Sequence, residues 1–392
     1  MRLNVFTEIK KGETHLIGTL DARPGDGEFI YNPEWIRNPD AWPVDPINLT
    51  LTEGVFKTNR ASGLFSAFED SLPDDWGRRI LVQKHRLRGQ TPPVELLKHL
   101  GADTMGALMY SEKEIAPTST NLNHNSLERL LNDSIIFAEN PSAQNLSALF
   151  EAGSSPGGAR PKAIFVDNNH NQFIAKFPSH NDTFDVALWE AASLSLARCC
   201  GLNTSDHQII RVNRKNILLV ARFDRREQGR RHMLSFQTLL GKEGYYYASY
   251  GDLKDIVAKY AENVKKETLQ LFRQMVFNAA IGNTDDHLKN FTAFINKQGT
   301  LELTPAYDLL PNIQGRKDHV LNFHFDPWTP NKNTLQKIGR SWGIHNPNAV
   351  ANQILDVFDQ EWKNTCDQYG ISKREWQRLN PDGELRRKEM RS

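Results

Sequence analysis

The chain has 392 residues, with 48 Lys plus Arg against 47 Asp plus Glu, 39% hydrophobic and 9% aromatic residues. Charges this nearly balanced give no general attraction to nucleic acid, a membrane surface or an acidic partner, and the apolar content excludes a disordered chain. The length suits two or three folded units.

Cys199, Cys200 and Cys366 form no C-x-x-C pair, which argues against a disulfide framework or a zinc site and suits a reducing cytoplasm. The start, Met1-Arg2-Leu3-Asn4-Val5, lacks an apolar signal core, and no apolar stretch is long enough for a membrane span. A cytoplasmic location without membrane contact is expected.

In chain order, Thr14-His15-Leu16-Ile17-Gly18-Thr19-Leu20 and Glu28-Phe29-Ile30-Tyr31 read as strands around the turn Pro24-Gly25-Asp26-Gly27. A helix start follows at Ser71-Leu72-Pro73-Asp74-Asp75. The polar run Ala116-Pro117-Thr118-Ser119-Thr120-Asn121 reads as a linker. Next come a Gly/Ser-rich segment, strands around Ala163-Ile164-Phe165-Val166 and Phe173-Ile174-Ala175-Lys176-Phe177, a helix over 185–200 and another strand pair. The remainder is mostly helical, including an apolar-faced helix over 269–281 that ends at Gly282-Asn283. The charged end, residues 386–391, reads as a solvated tail. This order predicts an α+β chain with an N-terminal subdomain over 1–115, a part carrying the Gly-rich loop over 116–225, and a helical part over 226–392.

Phosphoryl transfer needs cradled phosphates, oxygen ligands for Mg²⁺ and a carboxylate near the attacking hydroxyl. Residues 153–162, Gly153-Ser154-Ser155-Pro156-Gly157-Gly158-Ala159-Arg160-Pro161-Lys162, could form an anion nest, or simply a surface turn. They lack the Gly-Lys-Ser/Thr ending of a Walker A loop. Lys176 sits amid apolar strand residues, where Glu190 on the following helix could pair with it, although an edge-strand lysine facing water reads equally well. Asp285 and Asn290 have the Asp-to-Asn spacing of a kinase catalytic loop, with Lys289 able to neutralise a transferring phosphoryl group. The alternative is a polar loop in which Asp286 and His287 are caps. Asp308 is an isolated charge at an apolar strand-to-loop junction, which calls for a metal or cation partner unless it caps a turn.

Taken together, Gly loop, strand Lys, helix Glu, catalytic Asp plus Asn and metal Asp follow the order of a bilobal kinase. These segments resemble the HipA-type serine/threonine protein kinases, toxins of type II toxin–antitoxin pairs. The likeness includes Ala221-Arg222-Phe223-Asp224-Arg225, Thr284-Asp285-Asp286-His287-Leu288-Lys289-Asn290 and Leu303-Thr304-Pro305-Ala306-Tyr307-Asp308. It extends to Phe68-Glu69-Asp70-Ser71-Leu72-Pro73-Asp74 and Gly101-Ala102-Asp103-Thr104-Met105-Gly106.

The resemblance implies a bilobal protein-kinase-like fold with an extra β-rich N-terminal subdomain and a mostly helical C-terminal lobe. It implies ATP and Mg²⁺ as cofactors, Asp285 as base, His287 and Lys289 in the active site, and Asn290 and Asp308 as metal ligands. Lys176 with Glu190, Lys162, and Ser155, Gly157 and Gly158 of the loop would hold the phosphates. Arg222 and Phe223 would belong to an adenine hinge, with Asp224 near the ribose. Ser155, or its neighbour Ser154, would be autophosphorylated. Pro156 and Pro161 depart from the family pattern and stiffen the loop. The implied partners are a protein substrate (an aminoacyl-tRNA synthetase or translation factor) and a helix-turn-helix antitoxin of HipB type, with DNA reached only through that antitoxin. A non-catalytic nucleotide-binding regulator acting with such an antitoxin is the alternative function.

Overall fold

The computed structural model describes residues 1–118, 126–143, 146–152, 160–226, 229–244 and 246–392. The chain forms two compact units. The first comprises Met1–Asn181, Ile210–Leu234 and Phe294–Thr300, and the second Asp182–Ile209, Ser235–Ala293 and Leu301–Ser392.

The first unit begins with an antiparallel sheet in the order Val55–Thr58, Asp26–Tyr31, Glu13–Arg23, Arg2–Lys10, Met109–Ser111. Alternation sets its inner face: Leu3 and Val5 are buried while Arg2 faces water. Gly18 is required by close pairing, since an added Cβ would lie 2.3 Å from the carbonyl oxygen of Ile30. A second sheet follows in the order Lys162–Val166, Gln172–Lys176, Lys215–Ala221, His207–Val212. Its register sets Lys162 opposite Lys176 and Ile164 opposite Ile174. Ala163, Ala175, Ile217 and Leu219 from this sheet pack with Trp76 and Phe137 into a buried core. The helix expected after Pro73 runs Asp75–Lys84 and delivers Trp76, whose indole N–H donates to the Lys162 carbonyl at 2.9 Å.

One buried charge joins distant parts of this unit. Asp224 is wholly buried. It receives Nε and Nη2 of Arg222 at 3.0 and 2.7 Å, Nη1 of Arg225 at 2.8 Å and the Gly106 N–H at 2.8 Å. The same guanidiniums donate to the carbonyls of Thr104 and Gly106. Burial alone would raise the Asp224 carboxyl, but the charges of Arg222 and Arg225 and their hydrogen bonds hold it below the usual carboxylate range.

The second unit is mostly helical. Its helices include Val186–Cys199, Tyr250–Tyr260, Val264–Ile281, Lys332–Ser341, Pro347–Gln368 and Lys373–Arg391. Trp189, Phe277, Phe358 and Trp362 are buried among them. Asn263 caps the start of Val264–Ile281, and Gly282 ends it in the left-handed region at φ 76°. A Cβ there would lie 2.8 Å from Asp382 Oδ2, so Gly282 also admits the last helix.

The charged end is not a solvated tail. It is the final turns of Lys373–Arg391, where Arg386 is fully buried. Its charge is met by hydrogen bonds and a ring face: Arg386 donates to Asp382 Oδ2, Thr329 Oγ1 and the carbonyls of Arg316 and Lys317, and lies 5.1 Å from the centre of the Trp328 ring. Among the described residues, no helix is long and apolar enough to cross a membrane.

Gly282→Ala places a side chain at positive φ against Asp382. It is expected to lower the unfolding free energy by about 1 kcal/mol or more, read as a lower urea midpoint at unchanged slope. Asp224→Asn leaves two guanidiniums without their anion and is expected to cost about 3–5 kcal/mol at neutral pH. The folded Asp224 carboxyl is depressed, so its stabilisation is present above the unfolded value near pH ~4 and lost as pH falls through the folded value. The difference between wild type and Asp224→Asn should therefore narrow from about pH 5 downwards in urea titrations.

Candidate active site

The helix Val264–Ile281 leads directly into the segment singled out by its spacing. After Gly282 the chain turns, and Leu288–Asn290 forms a short 3-10 turn. Asn290 Nδ2 donates to the Asp285 carbonyl at 3.0 Å, so a sequence spacing becomes a contact. Asn283 Nδ2 donates to Asn278 Oδ1 at 3.2 Å and to the Asp308 carbonyl at 3.4 Å. Tyr307 donates to the Lys289 carbonyl at 2.7 Å, and Tyr246 accepts the Leu288 N–H at 3.0 Å. Asp285, Asn290 and Asp308 thus share one framework within the second unit. His287 is half-buried and Lys289 exposed on the same turn.

Asp308 has φ 52°, a conformation uncommon for a residue with a side chain. Such strain persists where surrounding bonds over-determine it, and it concentrates at functional positions. Here Asn283 holds the Asp308 carbonyl.

The adjacent acids have opposite surroundings. Asp285 is half-exposed, with a side-chain exposure of 48%, and its Oδ1 accepts from Arg316 Nη1 at 3.0 Å. Asp286 is fully buried. Its Oδ1 accepts the N–H groups of Val320 and Leu321 at 2.9 and 3.3 Å. Its Oδ2 accepts from Tyr250 at 2.6 Å and His319 Nδ1 at 3.1 Å. Arg386 Nη1 meets His319 Nε2 at 3.2 Å. Arginine can only donate, so Nε2 accepts and the ring proton lies on Nδ1, facing Asp286. Burial, and then the charge of Asp286, push the Tyr250 hydroxyl well above its ordinary range, keeping it a donor. The sequence reading of Asp286 as a loop cap is therefore corrected: it is a buried anchor.

The donors suit Mg²⁺. The amide nitrogen of Asn290 is spent on the Asp285 carbonyl, so its side-chain oxygen is the atom it would offer a metal, and Asp308 would offer a carboxylate. Among the described residues, no three or more His, Cys, Asp or Glu are grouped to hold a metal. Mg²⁺ needs only one or two carboxylates when substrate phosphates complete its shell.

The first unit carries other predicted residues. Lys176 and Lys162 are paired across neighbouring strands. The Arg222 N–H donates to the Gln172 carbonyl at 2.9 Å, one residue past the end of the strand Lys215–Ala221. Phe223 meets Phe294 edge to face at 5.8 Å. Arg222 and Asp224 spend their charges on the buried clamp. Glu190 belongs to the second unit, buried on Val186–Cys199. Ser154, Ser155, Gly157 and Gly158 lie outside the described residues. Sequence reasoning missed Arg316, Tyr250, His319 and Arg386, none of which belongs to a local motif.

Comparison with known proteins identifies the family and the fold. Residues 154–365 match the family model of the HipA-like C-terminal domain, and residues 11–111 that of the HipA N-terminal domain. Serine/threonine-protein kinase toxin HipA of Shewanella oneidensis is 26% identical over 331 residues, 75% of this chain and 72% of that protein. Y4dM of Sinorhizobium fredii is 27% identical over 284 residues, and the match spans 65% of either chain, just under two thirds of that relative. Among solved structures, the Shewanella oneidensis toxin–antitoxin complex of HipA, HipB and operator DNA aligns with a TM-score of 0.72 at 19% identity. That alignment covers 99% of this chain and 95% of the other and shows the same α+β fold. With the C-terminal model matched over more than half of its length and the N-terminal model before it, the chain belongs to the HipA family of serine/threonine protein kinases.

Proposed function

We propose that this chain transfers the γ-phosphoryl group of ATP to a serine or threonine hydroxyl of a protein, with Mg²⁺. The observation that carries the reading is the shared framework of Asp285, Asn290 and Asp308, closed by the Asn290–Asp285 and Asn283–Asp308 bonds. Bound ATP with Mg²⁺ would supply the phosphoryl group and the ADP leaving group. Asp285 would receive or orient the hydroxyl proton as that oxygen attacks phosphorus. Asn290 and Asp308 would offer oxygen ligands to the metal, and Lys289 with His287 would lie beside the transferring group. Lys176 and Lys162 would bind phosphate oxygens, and the backbone of residues 221–223 would meet the adenine. Autophosphorylation at Ser155, with Ser154 as second choice, belongs to the same reading.

The Shewanella protein's assembly with HipB and operator DNA supports a HipB-type antitoxin as partner here. A growth-inhibiting action on a translation-related protein follows from the toxin named among the relatives. The same assembly also favours the second reading, a non-catalytic regulator that binds nucleotide and acts with an antitoxin on DNA.

Transfer of label from γ-labelled ATP to protein separates the two. Wild type should label protein only with Mg²⁺. Asp285→Ala and Asp308→Ala should each lower the rate by at least about 10²-fold, the scale of a lost acid–base or charge-stabilising group. Nucleotide binding with no transfer by wild type would replace this reading with the regulatory one.

A further inference from the structure

Arg316 lies outside the motif segments, yet its Nη1 meets Oδ1 of the candidate base Asp285 at 3.0 Å. Arg316 follows Asp308 in the chain, on the loop after the expected metal ligand. Its backbone is held at both polar groups. The Arg316 N–H donates to Asn312 Oδ1 at 3.0 Å, and its carbonyl accepts from Asn312 Nδ2 at 2.6 Å and Arg386 Nη2 at 3.2 Å. Thr284, the residue before Asp285, donates its hydroxyl to the same Asn312 Oδ1 at 3.3 Å. Asn312 therefore ties the arginine's backbone to the segment that carries the base. Only the side chain is left to move.

We propose that Arg316 is a positioning residue for Asp285. It holds Oδ1 and thereby fixes the rotation of the carboxylate, leaving Oδ2 to meet the acceptor hydroxyl. This rests on the reading of Asp285 as base. The contact is not an inhibitory lock, because both side chains are about half-exposed, at 49% and 48%. An ion pair so exposed biases an equilibrium by no more than about fivefold, too little to exclude a substrate. A bias of that size is enough to select one carboxylate rotamer. The guanidinium suits the task because its planar fork fixes direction as well as charge, which an ammonium does not.

The test is a double-mutant cycle on phosphoryl transfer by the full chain. Arg316→Ala should lower kcat about two- to fivefold, with KM for ATP and for the protein acceptor changed by less than about 1.5-fold. Arg316→Lys should recover only part of the loss. In an Asp285→Ala background, where residual transfer is followed by label over long incubations, Arg316→Ala should cost less than about twofold more, because the two residues act as one unit. The melting temperature of Arg316→Ala should stay that of wild type, and Arg316→Gln, which keeps part of the aliphatic stem but no charge, should repeat the kinetic result.

Unchanged kcat in Arg316→Ala overturns the proposal. So does an equal loss in the Asp285→Ala background, or a rise in acceptor KM at constant kcat, which makes Arg316 an acceptor-binding residue. If Asp285→Ala itself keeps full activity, the reading of Asp285 as base falls. If Asp285→Ala is inactive and Arg316→Ala is not affected, only the role of Arg316 falls.

Discussion

The second unit is organised around one carboxylate that water does not reach. A bare buried carboxylate is several kcal/mol uphill, so Asp286 can exist there only if the protein supplies the donors that water would have given. Those donors are Tyr250, His319 and the backbone amides of Val320 and Leu321. Their positions in the chain lie 33 to 36 residues from Asp286. Through His319 the bond network continues to Arg386, near the end of the chain. One charge thus brings together a helix start, the candidate catalytic segment, the loop after Asp308 and the last helix. Asp285 inherits its place from its neighbour: the anchored residue fixes the backbone on which the base is presented.

Much of this was visible in the sequence, and the part that was not has a common cause. The helix ending at Gly282 follows from apolar periodicity and from a glycine where φ must be positive. The pairing of Asp285 with Asn290 follows from their spacing, and the structure adds the bond that makes it a contact. Asp286 and Arg386 defeated the same method. Each carries a full charge and sits in polar surroundings in sequence, which local pattern reads as a solvated loop and a solvated tail. Both are buried because of partners supplied from far along the chain. Periodicity detects burial driven by apolar area; it has no access to burial satisfied by hydrogen bonds over long separations.

Asp224 repeats the pattern in the first unit. The family resemblance implies an adenine hinge in this segment and Asp224 near a ribose. The structure turns the charges of Arg222, Asp224 and Arg225 towards Thr104 and Gly106, so that the segment Gly101-Ala102-Asp103-Thr104-Met105-Gly106 and the residues that follow the strand Lys215–Ala221 are joined by hydrogen bonds between charged side chains and backbone groups. A clamp with two cations for one anion is also why the carboxyl stays ionised although burial opposes it.

The contrast between Asp285 and Asp286 assigns the moving and the fixed parts of the site. A group that must exchange partners in each turnover has to be held weakly, because every kcal/mol spent on a resting contact must be recovered when the substrate arrives. The half-exposed pair of Asp285 and Arg316 meets that condition. Asp286, with its oxygens shared among buried donors, cannot exchange anything without opening the fold around it. Arg386 reaches both systems: it contacts His319 of the fixed network and holds the carbonyl of Arg316 in the exchangeable one. The rigid charge therefore sets where the mobile side chain is rooted, and the mobile side chain is left only a choice of rotamer. That division lets a chain place two adjacent acids in one loop, one buried among fixed donors and one open to exchange, without the two competing for the same partners.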